Sequence, residues 1–424
     1  MTTVDELITQ RPSFAAMEPA CQTAATRIND FIYMSCGTSN SYMVKTAAGR
    51  VIINTGMGFE ALIHKKLFDK IYPGPTRYIL LTQGHVDHVG GVNHFRDDST
   101  QLVAQQNNLA CQKDDERIAT VRISQAYIWF KKTIDKSVAA ITQNPDLLIQ
   151  DRPKPDLLFE DSHAFTFGGI DFELISTPGG ETIDSTVIWL PQYRILFSGN
   201  VFGPLFPHFP NLNTIRGDKY RFAEPYLEAI SAVRALKPAM LITGHFDPII
   251  GEELIDASLQ RMHDAVDYVH RETLKGMNDG KSIDDLMRST SLPPELNIGQ
   301  GYGKVSWAVR TIWESYMGWF KAHSTTELYP TRHTEIYADL VALAGTEAVI
   351  EKGRQALNAA DPERALHFAE AALASDAGQR AALQLAIDAH QALLERSQRS
   401  NFWETGWLEY QLGLLNARLQ DKPA

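Results

Sequence analysis

Cysteine is scarce in this chain. Cys21, Cys36 and Cys111 are the three among 424 residues, an odd number at spacings that form neither a zinc knuckle nor a redox pair, which excludes a disulfide framework and points to a reducing compartment. Long apolar runs are also missing: no window offers the ~18 uninterrupted apolar residues of a membrane span, and the N-terminal Met-Thr-Thr-Val-Asp-Glu-Leu lacks the basic start and apolar stretch of a secretory peptide. A soluble, cytoplasmic protein without a membrane partner is the expectation. Positive charge is outnumbered, with 40 Lys plus Arg against 51 Asp plus Glu and a formal net charge of −11. No Lys/Arg cluster breaks that balance, so nucleic acid and anionic surfaces are poor partners and a small-molecule substrate gains weight. What remains is an ordinary globular composition, 44% apolar and 21% charged, on a chain longer than the ~250 to 300 residues at which one core stops growing.

Strand signals dominate the first 250 residues. Ser41 to Val44 and Val51 to Asn54 flank a turn at Ala48-Gly49 and read as a hairpin. A helix near Phe59 to Ile71 leads through Pro73-Gly74-Pro75 into a buried strand, Tyr78 to Leu81, and a further helix follows Gly90-Gly91. One or two long helices are expected over 114–143, carrying Ile118, Val121, Ile123 and Ile128. Strands return at Ala164 to Phe167, Asp171 to Ser176, Thr186 to Leu190 and Arg194 to Phe197, before a helix from Tyr220 to Leu236 and a last strand, Ala239 to Thr243. Strands outnumber crossovers, which predicts a pair of mixed sheets with helices outside. Beyond Gly251 the pattern is helical. Val305, Val309, Ile312, Tyr316 and Trp319 mark an aromatic-rich amphipathic helix, and the Ala/Leu-rich stretch from Ala356 to Leu394 resembles stacked helix pairs, with starts expected at Asp361-Pro362 and Ser375-Asp376.

The densest chemistry is Gln83-Gly84-His85-Val86-Asp87-His88-Val89-Gly90-Gly91, directly after a buried strand. Two imidazoles and a carboxylate on a turn leaving a strand edge can point into one cleft, and all are zinc ligands. The glycines permit a tight turn and close helix approach. Farther on, Arg216 with Lys219 and Arg221 offers guanidinium forks for an anionic group, or a surface cluster with Asp218. The loop between Val201 and Pro210, Phe-Gly-Pro-Leu-Phe-Pro-His-Phe-Pro, reads as a hydrophobic substrate wall or as core. Its His208 is a candidate for proton transfer or a loop hydrogen-bonder, and Tyr302 and Trp307 for pocket lining or a buried aromatic face.

On the 83–91 motif the chain resembles the metallo-β-lactamase superfamily, whose pattern is Thr-His-x-His-x-Asp-His-x-Gly-Gly, across roughly residues 30 to 250. The family's later ligand turns are met at Thr177-Pro-Gly-Gly-Glu181, Ser198-Gly-Asn200 and Thr243-Gly-His245. Glu181 after Pro-Gly resembles the alkyl-sulfatase branch, as do Asn211-Leu-Asn-Thr-Ile-Arg-Gly217, Tyr302-Gly-Lys-Val-Ser-Trp307, Gly318-Trp-Phe320 and the closing Asn401-Phe402. The resemblance implies an α+β architecture, an αββα sandwich over residues 1–255 followed by an all-α domain over 256–424 that forms a homodimer, with no residues left for the branch's lipid-carrier-like domain. It implies metal ligands His85, Asp87, His88, Glu181 and His245, and places Arg216 and Asn211, with His208, near the substrate. Two family ligands are altered: Gln83 stands in place of the first His, and Gly199 in place of a Glu.

One tight metal, zinc or another divalent ion, is therefore expected at Asp87, His88 and His245, with a second site weak or absent. On ligand identity alone, Gln83→His raises the content from one towards two. Zinc lowers the pKa of a bound water to ~7, so a metal-bound hydroxide is the expected nucleophile, oriented by Asp87, Glu181 or Gln83. The expected function is metal-dependent hydrolysis of a small, partly apolar ester, alkyl sulfates first. The alternatives are a lactone or carboxylic-ester hydrolase of the same fold and a catalytically impaired dimeric binding or scaffold protein.

Overall fold

The computed structural model describes residues 2–143, 150–212, 215–219 and 221–420. Asn213 and Thr214 of the Asn-Leu-Asn-Thr-Ile-Arg-Gly segment, and Tyr220 at the expected helix start, lie outside the described residues. The chain divides into two compact units, Met1–Trp313 and Glu314–Ala424.

In the first unit, β-branched and aromatic residues at alternate positions build two sheets. One has seven strands in the order Thr26–Arg27, Ile32–Ser35, Ser41–Thr46, Gly49–Ile53, Thr76–Leu80, Gln101–Gln105 and Leu157–Phe159, antiparallel up to Gly49–Ile53 and parallel thereafter. The other has six, in the order Ile249–Ile250, Met240–Thr243, Ile195–Gly199, Thr186–Leu190, Ile170–Ser176 and Ser162–Phe167, with one parallel pair between Ile195–Gly199 and Met240–Thr243. Because successive side chains face opposite ways, Tyr42, Val44, Val51, Ile53, Leu80 and Val103 point inward against Phe172, Leu174, Ile188, Phe197 and Ile242. Their neighbours Met43, Ile52, Ile79 and Leu102 point outward onto Ala61 and Phe68 of helix Gly58–Ile71. On the far side, Val187, Trp189, Leu196 and Leu241 meet helices Ala223–Ala235 and Glu252–Asn278. Two sheets covered on both outer faces give the expected αββα sandwich.

Three local expectations are revised. The stretch over 114–143 holds three helices rather than one or two, Asn108–Arg117, Ala119–Trp129 and Lys131–Gln143, and Ile118, Val121 and Ile123 are exposed. The loop from Val201 to Pro210 is core rather than a substrate wall, since Val201, Phe202, Phe206 and Phe209 pack under the second sheet's helices. The first compact unit also extends past the boundary expected at 255/256. Helix Glu252–Asn278 buries Ile255, Leu259, Met262, Val266 and Val269 at intervals of three and four in the same core as Val187 and Leu241, and Val305, Val309 and Ile312 join them.

The second unit is helical. Tyr337–Ala344, Thr346–Asn358, Pro362–Ser375, Arg380–Arg396 and Phe402–Gln420 stack around Ile350, Ala365, Ala369, Ala372, Leu383, Ala386 and Leu415. Asp361 accepts the Arg364 N–H as helix cap, with Pro362 in the first turn as expected. The next helix starts at Arg380 under a Gln379 cap, not at Ser375-Asp376.

Candidate metal centre

Strand Thr76–Leu80 runs into Thr82-Gln83-Gly84, and His85 then opens the single-turn helix Val86–Val89, which carries Asp87 and His88. Gly91 is required for space: a Cβ there would lie 2.3 Å from Ala61 Cβ and 2.7 Å from the Thr55 carbonyl. Thr55 pins the turn, donating its backbone N–H (2.9 Å) and its hydroxyl (3.0 Å) to the His88 carbonyl. Ser39 donates to the Asp87 carbonyl at 2.9 Å and lies 3.1 Å from Asp87 Oδ2. His245 arrives from the other sheet, just beyond strand Met240–Thr243, with its carbonyl accepting the Thr243 hydroxyl at 2.6 Å.

These elements converge three donors. His88 Nε2 lies 3.6 Å and His245 Nε2 4.0 Å from Asp87 Oδ2, and among the described residues Asp87, His88 and His245 form the one group of His, Cys, Asp or Glu able to close on a metal ion. Burial works to raise the Asp87 carboxyl, but His88, His245 and His85 outweigh it and hold it well below the usual carboxylate range. Burial pushes the His88 imidazole down to about 4 and lowers His245. At neutral pH the group is thus one anion and two neutral imidazoles, the protonation state a divalent cation needs. Asn200 Oδ1, buried without a partner, and His88 Cε1 both crowd Gly244, at 2.3 Å and 3.1 Å from where its Cβ would be. The triad fits a metal.

His85, Gln83 and Glu181 are gathered beside it but are otherwise engaged. The Gln83 amide nitrogen lies 2.8 Å from His85 Nδ1, and His85 Nε2 lies 3.1 Å from Asp218 Oδ2. Burial opposes protonation of His85, yet its bond to Asp218 raises the pKa above the ordinary histidine value. Glu181 accepts from Arg221 Nη2 at 2.7 Å, both side chains being almost wholly buried. Burial raises the Glu181 carboxyl, with Arg221 opposing. Asp218 collects further guanidinium groups, Arg216 and Arg122 each at 3.5 Å and Arg221 at 3.9 Å.

The remaining candidates divide. Arg216 is partly exposed at the site, while Asn211 presents its carbonyl to Arg221 at 3.5 Å and has a buried, unpartnered Oδ1. His208 accepts the Gly301 N–H at 3.1 Å and lies 3.4 Å from the Ile8 carbonyl, so both ring nitrogens are taken up by backbone groups. Tyr302 hydrogen-bonds Arg221. Sequence reasoning missed Phe14, whose ring stands edge-on to His245 at 5.6 Å and to Tyr302 at 5.7 Å. With Phe14 the N-terminal segment reaches the site, and a cavity of about 380 Å³ opens there, lined by Arg11, Met17, Cys36, Asn40, His245 and Phe246. No motif announces a lone aromatic residue at the start of the three-residue 3-10 helix Phe14–Ala16. Asp218 was visible only as a neighbour of Arg216.

Comparison with known proteins identifies the family. Residues 34–245, half of the chain, match the model of the metallo-beta-lactamase superfamily. The chain belongs to that superfamily. Within it, residues 282–414 match the alkyl sulfatase dimerisation model. A linear primary-alkylsulfatase of Pseudomonas sp. is 28% identical over 324 residues, covering 72% of this chain and 60% of the relative. An alkyl/aryl-sulfatase of Saccharomyces cerevisiae is 23% identical over 429 residues, covering 93% and 65%. The chain thus spans less than two thirds of the length of these superfamily relatives. The solved structure of a stereoselective inverting sec-alkylsulfatase from Pseudomonas sp. superposes with a TM-score of 0.78 at 20% identity over 94% of this chain and 65% of that one, a likeness of fold. Among the described residues no helix is long and apolar enough to cross a membrane.

Proposed function

We propose that this superfamily member is a metal-dependent hydrolase of small, partly apolar esters, with alkyl sulfates as the substrate class. The observation that carries the reading is the Asp87–His88–His245 group beside Arg216: three donors in the protonation state for a cation, next to a partly exposed guanidinium. A divalent ion held there, zinc by choice of ligands, supplies Lewis acidity and an acidified water. The chain's own residues do the rest. Ser39 orients the Asp87 carboxylate, Arg216 receives the anionic end of the ester through its planar fork, and Phe14 walls the site on its apolar side. Similarity to alkylsulfatases supports the sulfate ester over a lactone.

The test is sulfate release from a medium-chain alkyl sulfate by zinc-loaded protein, with a matched carboxylic ester in parallel. Sulfate released by wild type and not by His88→Ala is the expected result. Hydrolysis of the carboxylic ester alone, with Arg216→Ala harmless, establishes the esterase alternative. Purified protein that carries no metal and is indifferent to His88→Ala leaves only the scaffold reading.

The helical half supports a homodimer. Residues 282–414 match the dimerisation model, and Trp319, Tyr329 and Leu343 are 69%, 61% and 86% exposed in the single chain. Light scattering is expected to give twice the chain mass, and Leu343→Asp to reduce it. Three free cysteines fit a reducing, cytoplasmic setting.

A further inference from the structure

The ligand set implied by the resemblance has a second half, His85, Glu181 and residue 83, with a carboxylate expected at position 199. We infer that in this protein the guanidinium of Arg221 takes the place of a second metal ion, so that the centre holds one metal and one built-in organic cation. The inference rests on the reading that Asp87, His88 and His245 hold a metal.

Four observations point the same way. Glu181 gives Oε1 to Arg221 Nη2 at 2.7 Å, with side-chain exposures of 3% and 4%, so the carboxylate already has its cation and water does not separate them. His85 is engaged at both ring nitrogens, by Gln83 at 2.8 Å and Asp218 at 3.1 Å. Position 199 is closed to a carboxylate: Gly199 has a φ of +51°, and a Cβ there would lie 2.5 Å from Thr82 Oγ1, which is fixed by Asn54 Nδ2 at 2.9 Å. Finally, three carboxylates of this half are paired without a metal. The carboxylates of Glu181, Asp218 and Asp115 are matched by the guanidinium groups of Arg221, Arg216 and Arg122, with Arg122 2.9 Å from Asp115. A divalent ion brought into this half meets fixed positive charge, whereas in the Asp87 half a carboxylate faces two imidazole nitrogens at 3.6 and 4.0 Å.

Ligand identity alone predicts that Gln83→His restores a second metal; the Arg221 pair predicts that it does not. Elemental analysis of zinc-dialysed protein decides this, with circular dichroism to verify folding. The expected contents are one equivalent per chain for wild type, still one for Glu181→Gln and for Gln83→His, and two for Gln83→His combined with Arg221→Met. Two equivalents in wild type or in Gln83→His overturn the inference, as does a drop in Glu181→Gln or a folded double variant that stays at one. Should the double variant fail to fold, the two single variants decide. No metal in wild type, or one that survives His88→Ala, defeats instead the reading of the Asp87 triad.

Discussion

Asp87, His88 and His245 on one side of the centre, and His85 and Glu181 on the other, are drawn from the same three residue types, and all but the partly exposed Asp87 are buried, yet they end in opposite states. In the first group the nitrogens face a carboxylate at 3.6 and 4.0 Å, too far for a hydrogen bond and spaced for an ion between them. In the second, each donor already touches a protein partner at 2.7 to 3.1 Å. Residue type therefore does not make a metal site. What separates the halves is whether the surrounding shell leaves a carboxylate without a bonded cation, and here Arg221 bonds Glu181 while no guanidinium bonds Asp87 among the described residues.

The largest expected effect breaks the first half outright. His88→Ala should take metal content from one equivalent towards zero and lower turnover by ~100-fold or more, at least the upper range for losing even an outer partner of a ligand; elemental analysis with a sulfate-release assay reads both. Arg221→Ala attacks the second half and should act on stability instead. Stranding the buried Glu181 carboxylate costs ~3–5 kcal/mol, seen as a lower urea midpoint with unchanged slope, while the triad keeps its metal. Arg216→Ala should leave fold and metal intact and reduce kcat/KM for an alkyl sulfate by about 10- to 100-fold, the ~1.5–3 kcal/mol of a hydrogen bond to a charged group. An equal rate with wild type would mean that the anion binds elsewhere.

The halves should also part company with pH in the metal-free protein. His88 is held near 4 when folded, against 6.5 unfolded, so between those values the unfolded chain binds the proton and stability falls as pH drops from about 6.5 to about 4. His85 is shifted the other way; its contribution is complete below the unfolded pKa and is lost as pH rises through the folded one. Urea midpoints from pH 4.5 to 8.5 should therefore show an acid limb flattened by His88→Gln and an alkaline limb flattened by His85→Gln. The smallest change expected is Phe14→Leu, which nearly conserves volume and should cost under ~1.5 kcal/mol, with KM for an apolar ester moving more than kcat. A KM indifferent to the substitution removes Phe14 from the substrate wall.

Much of this architecture was legible in the chain because it is local. The hairpin Ser41–Thr46 to Gly49–Ile53 announces itself by alternation, helix Gly58–Ile71 by its period, and the Asp361-Pro362 start by its cap. Strands Gln101–Gln105 and Leu157–Phe159 went unseen, being short and defined by their neighbours in the sheet. The same holds for the extent of the first unit. The apolar stripe of Glu252–Asn278 is evident in the sequence, but which core it buries against is not.

The sequence by itself determined the superfamily and the sandwich, and it singled out Asp87, His88 and His245 as candidate donors, since the first two sit within one turn of a motif and the third follows the last long strand signal. Only the tertiary structure decided how those donors are partnered. Arg221 meets Glu181 across 40 residues of chain, Phe14 meets His245 from a short N-terminal 3-10 helix, and the aromatic loop after Asn200 turns into core. Charge compensation and packing are properties of neighbours in space, and a buried carboxylate binds a metal or a guanidinium according to which one the fold brings within 3 Å.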